Sequence, residues 1–133
     1  MPSKPRASWF RRKPVAHDDF DVIAYKLLAY VYGCLKAGKS VGIDKAWELC
    51  GCPPEDYWKA ILASLQSDGY ITVQDPRYDI LGNVMTPGSC AITMSGALYV
   101  RDNSAMKKAQ RFVGKAFEKT LAAAIAIAPA TMS

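Results

Sequence analysis

Histidine is nearly missing from this sequence: His17 is the only one. One imidazole cannot build a multi-histidine metal centre, and it leaves little scope for a nucleophile–base pair. The patterns G-x-S-x-G and H-E-x-x-H and the phosphate-cradling glycine loop are also missing. The carboxylates show no paired placement suited to acid–base work. These absences argue against an enzyme, a metal site or a bound cofactor. Long apolar runs are lacking too. The longest, Leu121 to Ala128, has 8 residues and meets Pro129. A membrane span needs about 18, so none is expected. The basic residues at the start are not followed by an apolar stretch, so a secretory leader is not expected. The first 17 residues lack acids and contain Arg and Ser, as mitochondrial presequences do, but no long amphipathic stretch precedes Pro14. The four cysteines, Cys34, Cys50, Cys52 and Cys90, match no zinc-ligand spacing, since Cys50-Gly51-Cys52 is C-x-C. Free thiols in a reducing, cytoplasmic compartment are the expectation.

What is present suits one domain. The chain has 133 residues, 50% hydrophobic and 22% charged, enough apolar material for a packed core. The net charge of +5 is unevenly placed. Residues 1–13 carry Lys4, Arg6, Arg11, Arg12 and Lys13 and no acid. Residues 14–100 hold 6 bases and 10 acids, and residues 101–133 hold 6 bases and 2 acids. A basic arm, a mildly acidic body and a basic C-terminal segment result. The arm suits an anionic partner such as nucleic acid, or serves only as a solubilising tail. Trp9 and Phe10 within it could staple the arm to the domain or insert into a partner.

Periodicity and punctuation give the elements. Phe20, Ile23, Ala24, Leu27, Val31 and Leu35 recur at helical spacing after Asp18 and Asp19, predicting a first helix over 18–36 stopped near Gly38. Asp44 caps a short second helix over 45–50, and Gly51 ends it. Pro53 and Pro54 open a third helix that runs to about Ser67 and places Trp58, Ile61, Leu62 and Leu65 on its buried side. Tyr70–Val73 reads as a strand, and Cys90–Ile92 as its return. Between them, 77–90 forms a loop or irregular hairpin rich in Gly and Pro. Thr93 starts a further helix to Val100, and Asn103 or Ser104 caps a long last helix to about Ala126. The expected fold is mainly α with a small β wing (α+β): a winged helix-turn-helix with a long C-terminal helix. The expected layout is a flexible basic arm over 1–17, the winged-helix domain over 18–126 with its C-terminal helix at 104–126, and a tail over 127–133.

Three stretches carry a family resemblance: Ile23-Ala24-Tyr25-Lys26-Leu27-Leu28, then Leu65-Gln66-Ser67-Asp68-Gly69-Tyr70-Ile71, and Ile92 through Lys108. The last contains an I-T-x-x-G-x-x-Y-L-x-x-N-S-like run, here with Val100 in place of the usual leucine and Asp102 in place of the usual glutamate. The order of elements with these motifs resembles the YjcQ-like winged-helix proteins of bacterial and prophage genomes. The resemblance spans about residues 18–120. It implies a winged helix in a phage or prophage setting and carries over no activity.

Two functions follow as expectations. The first is DNA-binding regulation by largely electrostatic contacts. Its candidate residues are the arm (Lys4, Arg6, Arg11, Arg12, Lys13), Lys59 and Ser64 on the third helix, Arg77 on the wing, and Lys108, Arg111, Lys115 and Lys119 on the last helix. On a single continuous wheel those last four line up opposite a stripe of Met106, Ala109, Val113, Ala116, Phe117, Thr120 and Ala124. The exposed side of the third helix is poor for base readout: Asp56, Ala60, Ala63 and Ser67, flanked by Tyr57, Lys59 and Ser64. Hence the second expectation, a protein-interaction module that binds, and could inhibit, a host or phage protein. Leu121, Ile125 and Ile127 extend the apolar stripe of the last helix, which suits a homodimer through that helix or a tail folded back on the domain.

Overall fold

The computed structural model describes residues 19–86 and 88–130, with the side chain of Thr86 left out. Helix α1 (Phe20–Ala37) is the axis of the domain. Val22, Ile23, Ala24, Leu27, Leu28, Tyr30, Val31 and Cys34 are all buried, so α1 is covered on nearly every side. It ends where Gly38 turns left-handed at φ 70°, with the Lys39 amide donating to the Cys34 carbonyl at 2.8 Å.

Helices α2 (Ile43–Leu49) and α3 (Glu55–Ser67) form the helix-turn-helix. Helix α2 starts earlier than Asp44 suggested, with Gly42 at its cap and Asp44 inside the first turn. Helix α3 starts later than Pro53. The Pro53 carbonyl accepts from the Trp47 indole at 2.8 Å, which holds that proline in the turn and leaves Pro54 as the cap. Trp58, Ile61 and Leu65 are buried as the spacing predicted.

The wing has two storeys. Strand β1 (Ile71–Gln74) pairs antiparallel with β4 (Ser89–Ile92) in the register Ile71 with Ile92 through Gln74 with Ser89. Beyond Pro76, β2 (Arg77–Tyr78) pairs with β3 (Val84–Thr86), with a bulge between Arg77 and Tyr78. The isolated bridge from Gly42 to Ser89 adds a rudimentary third strand on the outer side of β4. The order helix, bridge, helix, helix, hairpin is that of a winged helix. The tip is tied by Asp79, whose carboxylate accepts from the amides of Leu81 at 2.9 Å and Asn83 at 2.8 Å.

Helix α4 (Met94–Asp102) follows directly, capped by Thr93. Helix α5 (Ser104–Ile127) is capped by Asn103, whose side chain accepts from the amides of Ala105 and Met106. It packs against α1, α4 and α2. The expected single helix is in fact two segments, because Gly114 sits at φ 66° and ψ −163°, outside helical geometry. The buried line before the break is Met106 and Ala109. After it the inward side chains are Phe117, Leu121, Ile125 and Ala128, while Ala116 and Thr120 are exposed. Leu121 and Ile125 therefore pack on the domain itself. Part of the expected tail does so as well: Ala128 is buried, and the Pro129 carbonyl accepts from the Ser40 amide at 2.7 Å. Among the described residues no helix is long and apolar enough to cross a membrane.

Candidate functional site

The predicted nucleic-acid residues are scattered. Lys4, Arg6, Arg11, Arg12 and Lys13, with Trp9 and Phe10, lie outside the described residues. On α3, Ser64 and Lys59 are exposed, but Lys59 is engaged: its Nζ lies 3.0 Å from Glu55 Oε2, one turn back. That hydrogen bond, with the Glu55 charge, raises the Lys59 pKa. The exposed side of α3 thus presents a lysine ion-paired with Glu55, Asp56 and the small residues Ala60, Ala63 and Ser67. Such a face offers little to base edges or phosphates.

Arg77 is exposed on β2 opposite Thr86. Lys108, Arg111, Lys115 and Lys119 are all exposed on α5, and none has an ion-pair partner among the described residues. The backbone between them departs from helical geometry at Gly114. Gly114 divides them, with Lys108 and Arg111 before the break and Lys115 and Lys119 after it.

The feature missed in the sequence is the tip of the wing. Tyr78 is 57% exposed, Ile80 98%, Leu81 81%, Val84 59% and Met85 67%. Five large apolar side chains are thus exposed beyond Pro76, on a hairpin that leaves the domain at Gln74 and returns at Ser89. The turn that presents them is firm. Besides the two Asp79 contacts above, the Asp79 amide donates to the Asn83 carbonyl at 2.8 Å, and Gly82 donates to Asp79 at 3.0 Å. Donation to the carboxylate itself, foremost from the Asn83 amide, holds the Asp79 carboxyl below its ordinary range. Tyr-Asp-Ile-Leu-Gly-Asn-Val-Met did carry a signal: apolar residues placed around a Gly-Asn turn on a wing have no domain beneath them to bury against.

Three of the four thiols are shielded by burial. Cys34, Cys50 and Cys90 are buried, and Cys52 alone is exposed. Burial pushes the Cys50 and Cys90 thiols up to about 12. Among the described residues no group of three or more His, Cys, Asp or Glu side chains converges as a metal site would need. No protein-family model, curated protein or solved structure matches this chain.

Proposed function

We propose that this winged helix is a cytoplasmic protein-interaction module that engages its partner through the wing. The observation that carries this reading is the apolar tip of Tyr78, Ile80, Leu81, Val84 and Met85. Exposed apolar clusters on a soluble domain usually serve association. Burying one such side chain stabilises a contact by roughly 1.5–3 kcal/mol, before the cost of ordering. The tip needs little ordering, because Asp79 already fixes its turn. The face of α3, its lysine paired with Glu55, supports the same choice, since a major-groove reader would present free cations there. In the phage-type setting that the resemblance implies, the partner is a host or phage protein.

DNA binding remains the second reading. It is supported by the cations of α5, unpaired among the described residues, together with the basic residues of the arm. Contacts of that kind would be electrostatic and largely sequence-tolerant.

One pair of experiments separates them. The wing variant Ile80→Asp/Leu81→Asp alters only exposed positions, so its circular dichroism and unfolding midpoint should match the wild type. In pull-downs from a host lysate, the wild-type chain should retain a partner that this variant loses. Fluorescence titration against random duplex DNA at two salt concentrations tests the other reading. Salt-sensitive binding that persists in the wing variant, with an identical set of captured proteins, would replace the interaction reading by DNA binding.

A further inference from the structure

The exposed wing tip has a counterpart on the same chain. At the root of the wing, the α1–α2 link, the start of β4 and the end of α5 enclose a cleft of about 700 Å³. Its walls are mainly apolar, with Val41, Leu49, Ala124, Ile127 and Ala128 among them. Ile127 is 75% exposed, so the cleft opens onto apolar surface that no other described residue covers. Gly88 and Ser89, also in the wall, mark the point where the wing rejoins the domain. Tip and cleft therefore lie at opposite ends of one hairpin.

We propose that a second copy of this chain fills the cleft: two chains pair about a two-fold axis with their wings antiparallel, and each seats Ile80 and Leu81 in the other's cleft. The proposal rests on the wing being an interaction surface, and it names the partner. From Gln74 at the root to Ile80 at the tip is at most about 20 Å, the rise of six fully extended residues, shortened by the bulge at Arg77/Tyr78 and the turn at Ile80. A two-fold axis through the midpoint of that span carries each tip to the other's root. Both contacts form at once and the assembly closes, whereas a head-to-tail arrangement would leave a tip and a cleft free at its ends. Charge fits as well. The tip is flanked by Arg77 and Asp79, and the cleft carries Lys45 and Glu48, whose own contact is a loose 3.7 Å at the surface. Each flanking charge thus has an opposite charge available across the interface. Strands β2 and β3 pair only with each other among the described residues, so their outer edges are open to a neighbouring wing. An unrelated partner at the tip would use one of these surfaces; a second copy uses both.

Sedimentation velocity on the full chain tests this with two variants. Ile80→Asp/Leu81→Asp removes the tip. Thr120→Arg narrows the cleft from an exposed position of α5 whose hydroxyl bonds only the Ala116 carbonyl of its own helix, at 3.1 Å. The wild type should be a dimer, and each variant alone should raise the dissociation constant about 30-fold or more, as loss of a central contact does. Mixing the two variants should restore a heterodimer, held by the one tip and the one cleft left intact. A monomeric wild type at the highest soluble concentration would overturn the proposal. So would a Thr120→Arg chain that dimerises like the wild type, because the tips would then meet elsewhere. Partner capture that needs the tip in a monomeric chain would leave the interaction reading standing without the second copy. Capture indifferent to the tip would remove both.

Discussion

At the residue scale, the I-T-x-x-G run is a packing device. The Thr93 hydroxyl donates to the Gly69 carbonyl at 2.5 Å and accepts from the Gly96 amide at 3.0 Å. The Thr93 amide donates to the Tyr70 carbonyl at 3.0 Å. One residue thus caps α4 and binds it to the end of the helix-turn-helix. Gly96 lets the two meet: a Cβ there would lie 2.1 Å from the Tyr70 carbonyl oxygen and 2.8 Å from Ile92 Cγ1. The rings of Tyr70 and Tyr99 stack across the same junction, with centroids 4.2 Å apart. Gly96→Ala should therefore cost about 3 kcal/mol, because the obstacle is backbone in a buried site. Gly33→Ala makes a useful contrast. Its Cβ would meet Ile125 Cδ1 at 2.4 Å, but that is the free end of a side chain that can turn aside. The smaller loss should be at Gly33, roughly 1 kcal/mol, by denaturant unfolding. Thr93→Ala should cost about 1–2 kcal/mol, and Thr93→Ser much less. Equal midpoints for Gly96→Ala and the wild type would show that this junction is not the close contact described.

At the element scale, helices were more legible than surfaces. Helices α1 and α3 were readable because their apolar residues recur at helical spacing and Gly38 and Gly69 stop them. The hairpin was readable as a hairpin, but the exposure of its apolar residues was signalled only by their place around a Gly-Asn turn, since the same residues in a core strand look alike. The break in α5 was hidden for another reason. A lone glycine inside a helical pattern is normally tolerated, and the periodicity around Gly114 has no visible fault. Only the Gly114 dihedrals show the break, since Met106, Ala109, Phe117 and Ala128 keep helical spacing on the buried side, with Phe117 meeting Tyr25 at 6.1 Å between centroids. Gly114 occupies a backbone region essentially reserved for glycine, and a Cβ there would touch nothing within 4 Å. The cost of Gly114→Ala is thus conformational, about 1–3 kcal/mol. If the helix straightened instead, the second segment would swing off α1 and lose Phe117 and Ile125 from their contacts. Either route lowers the unfolding midpoint. An unchanged midpoint with unchanged near-ultraviolet circular dichroism would mean the break is not required.

At the scale of the whole molecule, the legible part was the order of elements and the charge split between body and ends. The hidden part was which surface is available for binding, because availability depends on what the rest of the fold covers. The cations of α5 lie on both sides of Gly114, Lys59 on α3 is paired with Glu55, and five of the exposed large apolar side chains sit on the wing. One global property follows from burial as well. Cys50 is seated under α1, its thiol donating to the Ile23 carbonyl at 3.8 Å, and Cys90 lies in β4. Desolvation raises both thiols from 9.0 to about 12, and the Tyr30 hydroxyl from 10.0 to about 12. A raised acid pKa in the folded state means that the folded chain keeps protons which the unfolded chain gives up. The associated stability is intact below about pH 9 and is lost as pH climbs towards 12. Each buried thiol contributes at most roughly 1.4 kcal/mol per pH unit within that window. The urea midpoint should accordingly hold steady from neutral pH to the ordinary thiol range and then fall steeply. In Cys50→Ala/Cys90→Ala the midpoint at neutral pH should be lower, because two buried side chains are trimmed, but its alkaline slope should be shallower. A double variant that falls as steeply as the wild type would place the alkaline transition on Tyr30 or on groups outside the core.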